Sequence, residues 1–198
     1  MQNNKAIYMD HLAALEDLQK YMMSLSFKDF CTQPHHKEKR EQFVALLFCF
    51  GFSKYTGRKW FLKMREKDPP DFRMVSKIDE KSFLTEDIEI VTIPEKALKK
   101  KNFENEVMEL IFQTKIDKKA YPEHYILCIH LSFEKPQFDF AQLIEKIHSL
   151  HPKFKMIWIV YVNEYDLNDL SKAKIGMRII WPDVHSVNFS FADLEKSY

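Results

Sequence analysis

Apolar side chains at Ile7, Leu12, Leu15, Leu18, Tyr21, Met22 and Leu25 recur every three or four residues, which predicts an N-terminal helix over residues 5–24. The polar break CTQPHHKEKR follows. Phe43, Leu46, Leu47 and Phe50 then share one face of a second predicted helix from Lys37 to Phe50, with Glu38 and Glu41 in its first turns and Gly51 as its end. At Trp60 the period changes: Trp60, Leu62 and Met64 alternate with Phe61, Lys63 and Arg65, the pattern of a half-buried strand. DPP breaks the chain before the strand-like DFRMVS, and after the polar SKIDEKS a further strand, DIEIVTI, sets Asp87, Glu89 and Val91 on one face, with Ile88, Ile90 and Ile93 largely on the other. Two neighbouring strands joined by a short loop predict an antiparallel hairpin.

Pro94 opens a long helical segment to about Ile116, with Phe103, Val107, Leu110 and Ile111 on one side. HYILCIHLSF reads as a buried central strand, Phe138 to Leu150 as a helix with Phe140, Leu143, Ile144 and Ile147 inward, and KMIWIVYV as another buried strand. MRIIW and SVNFSF supply two short strands near the end. This order of helices and strands predicts an α/β sandwich with a mixed sheet. No repeat, low-complexity tract or interdomain linker interrupts it, and 198 residues at 45% hydrophobic content suit one domain with one substantial core.

Composition narrows the function classes. Three glycines (Gly51, Gly57, Gly176) leave no loop that cradles phosphate; in GFSKYTGRKW the glycines are one residue too far apart, and Arg58-Lys59 stands where a P-loop needs Lys-Ser/Thr. Cys31, Cys49 and Cys128 are too scattered for a disulfide framework or a zinc knuckle. Neither His35-His36 nor His148/His151 has zinc-site spacing, and no Gly-x-Ser-x-Gly elbow accompanies the serines. Asp10, Glu16 and Asp17 interrupt the N-terminus where a signal peptide needs an apolar core, and the apolar run Phe43 to Phe52 is too short for a bilayer, so the expectation is a soluble, cytoplasmic protein without a membrane partner.

The formal charge of +1 does not announce a nucleic-acid binder, but charge is unevenly spread. From Pro34 to Lys67, nine Lys/Arg face three Glu, a net of +6, whereas from Tyr161 to Tyr198 four basic residues face six acidic ones, a net of −2. A polyanion is therefore expected to meet the first third of the chain.

In an antiparallel hairpin the start of the first strand lies beside the end of the second, so Asp71, after Pro69-Pro70, is expected near Glu89 across strands about 4.7–4.9 Å apart. One or two carboxylates with waters and phosphate oxygens are what Mg²⁺ takes. Pro70-Asp71 on one strand, Glu89 on the next, an upstream helix bearing Glu38 and Glu41, a long downstream helix and then a buried strand together resemble the PD-(D/E)xK nuclease superfamily. The resemblance covers residues 35–133 as a nuclease-like core, with residues 1–34 as a helical extension and 134–198 as a C-terminal helix and strands.

The resemblance implies a restriction-endonuclease-like three-layer sandwich, a mixed central sheet flanked by helices. It also implies an endonuclease or exonuclease hydrolysing DNA or RNA with Mg²⁺, or Mn²⁺ in its place, on Asp71 and Glu89. Glu38 or Glu41 would orient the attacking water, and Lys63, Arg65 and Arg73 would hold nucleic-acid phosphates. A homodimer is compatible with it. The family's lysine, two residues after Glu89, is replaced by Val91. Three repairs are open: Asp87 joins Glu89 as the acidic pair; Thr92 serves; or the cation comes from the following helix, where Lys96, Lys99, Lys100 and Lys101 are available and Lys96 is nearest. The alternative is a catalytically degenerate nuclease fold that acts as a nucleic-acid or protein interaction module. Asp87 and Glu89 alternating with isoleucines also describe any solvent-facing strand.

Overall fold

The computed structural model describes residues 11–22, 30, 33–64, 70–94, 103–116, 121–134, 140–166 and 169–195. The chain forms two compact units, residues 1–88 and 89–198. The fold is α/β, with one mixed sheet of seven strands in the order β1 to β7.

In the first unit, α1 (His11–Met22) lies against α2 (Lys37–Thr56), which is entered through a 3-10 turn, Pro34–His36. Lys39 ties the two helices together through Asp17 at 2.8 Å, and its ammonium holds the Asp17 carboxyl below the usual carboxylate range. The sequence pattern predicted one buried face on α2 and an end at Gly51. Instead every residue from Gln42 to Phe52 is buried, and the helix runs on to Thr56. An isolated glycine costs a helix only about 1 kcal/mol, which the packing of a fully buried segment outweighs. The actual stop is Gly57, left-handed at φ 64°, which only glycine adopts readily.

Strands β1 (Phe61–Met64) and β2 (Phe72–Lys77) are antiparallel, and β2 pairs with β3 (Phe83–Ile93) with Phe72 opposite Ile88 and Arg73 opposite Asp87. The predicted hairpin is therefore present. Its loop is closed by Asp79, whose carboxylate accepts the backbone N–H groups of Lys81 and Ser82 at 2.8 and 2.9 Å; these bonds also lower its pKa. β3 begins four residues before the predicted Asp87, because Phe83 to Glu86 complete the ladder opposite Lys77 to Met74 despite lying mostly exposed.

The second unit holds α3 (Phe103–Ile111), which widens into a π-helical turn (Phe112–Ile116), then β4 (Ile126–Glu134), α4 (Phe140–Leu150), β5 (Met156–Asp166), β6 (Asp169–Trp181), β7 (His185–Ser190) and α5 (Phe191–Glu195). β4 and β5 are parallel with α4 between them in the chain, while β5, β6 and β7 are antiparallel neighbours. Val91 and Ile93 of β3, Val107 and Ile111 of α3, Leu127 and Ile129 of β4, Leu143 and Ile147 of α4, and Ile157 and Ile159 of β5 form one apolar cluster. The predicted last strand SVNFSF is cut at Ser190, since the Asp193 carboxylate accepts the Ser190 N–H at 2.8 Å and starts α5. No helix among the described residues is long and apolar enough to cross a membrane.

Candidate active site

Alternation along β3 sends Asp87, Glu89, Val91 and Ile93 to one face. A solvent-facing strand would leave both acids wet. Here Asp87 is 8% exposed and Glu89 1%, and each is matched by a cation.

Asp87 is gripped from the neighbouring strand. Arg73, its partner in the ladder, donates Nη2 to Oδ2 at 2.9 Å and Nε to Oδ1, a two-point grip on both carboxylate oxygens. Lys63 is the ladder partner of Arg73 on β1, so Lys63, Arg73 and Asp87 form a row across three strands. The pair leaves the Arg73 side chain 44% exposed and that of Asp87 11%.

Glu89 is held within the second unit. Lys115 reaches it from the π-helical turn, Nζ to Oε2 at 2.6 Å, with side-chain exposures of 15% for the lysine and 1% for the glutamate. The same ammonium lies 5.7 Å from the centre of the Tyr121 ring. Burial pushes the Tyr121 hydroxyl above its ordinary pKa of 10.0; the positive Lys115 opposes that shift and the negative Glu89 adds to it. Glu89, Lys115 and Tyr121 thus form a buried cluster of acid, base and phenol. A π-helical turn is an uncommon element that often marks functional positions in helices.

Val91, where the family pattern has lysine, packs in the apolar cluster. Thr92 faces the other way by alternation and lies 3.5 Å from Nδ1 of His130, so it does not stand in for that lysine beside Glu89. Lys96, Lys99, Lys100, Lys101 and Arg65 lie outside the described residues. Asp71 is half-buried, immediately before β2 in the first unit, whereas Glu89 opens the second unit. Glu38 is exposed, and Glu41 pairs with Lys37 one helical turn away at 3.5 Å.

Lys115 and Tyr121 escaped the sequence reading. Their only signal is a lone lysine in FQTKID, the polar end of a helix whose other face is apolar. His148 Nε2 meets the Ile180 carbonyl at 2.9 Å, and the rings of His148 and His151 both pack against Trp181. Among the described residues no group of three or more His, Cys, Asp or Glu is placed to hold a metal ion.

No protein-family model, curated protein or solved structure matches the chain. What stands is an α/β protein with a mixed seven-stranded sheet and a buried Glu-Lys-Tyr cluster at the head of its second unit.

Proposed function

We propose that the chain is a nuclease-like phosphodiesterase with a three-layer restriction-endonuclease-like architecture, hydrolysing DNA or RNA with Mg²⁺ or Mn²⁺, in which Lys115 supplies the ammonium group absent at Val91. The observation that carries this reading is the Glu89–Lys115 pair at 2.6 Å. A buried ion pair is a poor way to stabilise a strand, since well-packed apolar residues of similar volume do as well or better. Its presence beside a raised-pKa tyrosine is the kind of arrangement that functional sites display. Glu89 and Asp71 fit a hard divalent ion in donor type, because such ions take one or two carboxylates and complete their shell with water and phosphate oxygens. Asp87 has both oxygens held by Arg73, so the ion is assigned to Glu89 and Asp71. The ion would neutralise charge developing on the phosphate, and Lys115 would place a second positive charge beside Glu89.

The test is cleavage of labelled single- and double-stranded DNA and RNA by the full chain in Mg²⁺, Mn²⁺ or EDTA, with Glu89→Gln, Asp71→Asn and Lys115→Met variants. Metal-dependent cleavage lost in all three supports the proposal, and cleavage that survives in both carboxylate variants overturns it. The Asp87–Arg73 grip and the buried Val91 favour a second reading, a degenerate member of the same fold that binds its partner without cutting it. That reading predicts binding that is unchanged by EDTA and no cleavage in any metal.

A further inference from the structure

The end of α2 and the turn into β1 carry a surface that neither reading of the hairpin uses. Between Glu41 and Glu66 the chain has no acidic residue at all. Residues Gln42 to Phe52 are buried, so the charged groups presented from residue 53 to 63 are Lys54, Arg58, Lys59 and Lys63, all cationic.

The turn is held in one shape by Trp60, which is 2% exposed. Its indole N–H donates to Thr56 Oγ1 at 2.9 Å, its backbone N–H to Ser53 Oγ at 3.3 Å, and its carbonyl accepts from Cys49 Sγ at 3.5 Å. Gly57, left-handed, makes the reversal. With Trp60 pinned inward, Lys54, Tyr55, Arg58 and Lys59 are all exposed. Tyr55, 39% exposed, rests with its ring centre 6.2 Å from that of Phe52, while Lys54 and Lys59 lie 5.3 Å from the ring centres of Phe50 and Phe61. A helix C-terminus favours one nearby cation, which accounts for Lys54. It accounts neither for Arg58 and Lys59 beyond the helix end nor for an exposed tyrosine among them.

We infer that this turn is a binding surface for single-stranded nucleic acid, with Lys54, Arg58 and Lys59 on backbone phosphates and Tyr55 stacked on a base. An exposed aromatic ring amid fixed cations is the combination that binds unpaired strands with little regard to sequence, and a duplex hides the base faces that Tyr55 would need. The inference rests on the proposed partner class but not on catalysis.

Fluorescence anisotropy with labelled oligonucleotides of about 12 nucleotides, in EDTA so that no cleavage occurs, tests it on the full chain. The variants are K54A/R58A/K59A, Tyr55→Ala and, as a control elsewhere on the surface, Lys153→Ala, each checked by thermal melting. Loss of three phosphate contacts should flatten the slope of log affinity against log salt by about 2. Tyr55→Ala should weaken single-strand binding by about 5- to 150-fold, with Lys153→Ala unchanged. Wild-type binding without any effect of the turn variants, no wild-type binding, or tighter binding to duplex than to single strands overturns the inference. Metal-dependent cleavage by turn variants that bind like wild type would sink this surface and leave the proposed activity standing. Turn-dependent binding with no cleavage in any metal would do the reverse.

Discussion

Lys115→Met tests the cluster as a physical object, independently of any activity. Removing the ammonium leaves the Glu89 carboxylate at 1% exposure without the cation that sat 2.6 Å away. Breaking a buried pair by deleting one partner costs about 3–5 kcal/mol, which for a chain of this size lowers the melting temperature by about 6–20 °C. The reverse deletion should be milder. In Glu89→Leu the orphaned group is an ammonium on a flexible four-carbon stem, already 15% exposed, which can swing out to water as a buried carboxylate cannot. The double variant Glu89→Leu/Lys115→Met replaces charge by apolar volume and should return to within about 1 kcal/mol of wild type.

Urea unfolding of the four proteins at neutral pH, followed by circular dichroism, closes the cycle. A Lys115→Met cost below about 1 kcal/mol would mean that the pair behaves like an ordinary surface salt bridge and that water reaches Glu89. A double variant as unstable as the two single effects added together would show the residues to be uncoupled. Either result refutes the reasoning, and a stable double variant also gives a folded protein in which loss of cleavage cannot be blamed on unfolding.

Other expectations rest on single contacts. A Cβ on Gly176 would lie 2.5 Å from two ring carbons of Tyr161, its ladder partner, so Gly176→Ala should destabilise by about 1–3 kcal/mol in denaturant melts, and much less in a Tyr161→Ala background. Gly57 has nothing within 4 Å of its missing Cβ, so Gly57→Ala should lose only the left-handed backbone penalty, about 1–2 kcal/mol, and Gly57→Asn less, again read by melting. Burial raises the Tyr161 pKa above 10.0, with Arg178 pulling the other way. Its folded form therefore keeps the proton after the unfolded chain has lost it. Stability from this group is complete below about pH 10 and declines as pH rises beyond it. Tyr161→Phe should fall less steeply than wild type between pH 9 and 11 in urea midpoints; parallel curves would rule this out.

The hairpin was legible because a period of two in DFRMVS and DIEIVTI specifies strands, and a short polar loop between them specifies their pairing. The length of α2 was not, because the pattern of Phe43, Leu46, Leu47 and Phe50 describes one face and says nothing of the packing that buries the rest of the turns through Phe52. The candidate site was half readable. Asp87-Ile88-Glu89-Ile90 is the same string whether its acids face water or the interior, and what decides between them lies far off in the chain: Arg73 is 14 residues from Asp87, and Lys115 is 26 from Glu89. The π-helical turn brings Lys115 to Glu89 from beyond the nearest lysines in the sequence.

The two acids of β3 are neutralised in different ways, and under the proposed function that difference assigns the chemistry to one of them. Arg73 holds Asp87 through two donors of one rigid plane, one on each carboxylate oxygen. Lys115 holds Glu89 through one nitrogen at one oxygen, and a point charge on a flexible stem can pivot to a phosphate while remaining near the carboxylate. On the proposed reading Glu89 is therefore the acid shared with an ion and substrate, while Asp87 links β3 to β2 through Arg73. Asp87→Asn should lower stability, since an amide cannot complete both bonds to the guanidinium, yet keep metal-dependent cleavage in the folded protein. Glu89→Gln should abolish it. If cleavage follows Asp87 instead, measured below the melting point of each variant, the roles assigned to the two acids are reversed.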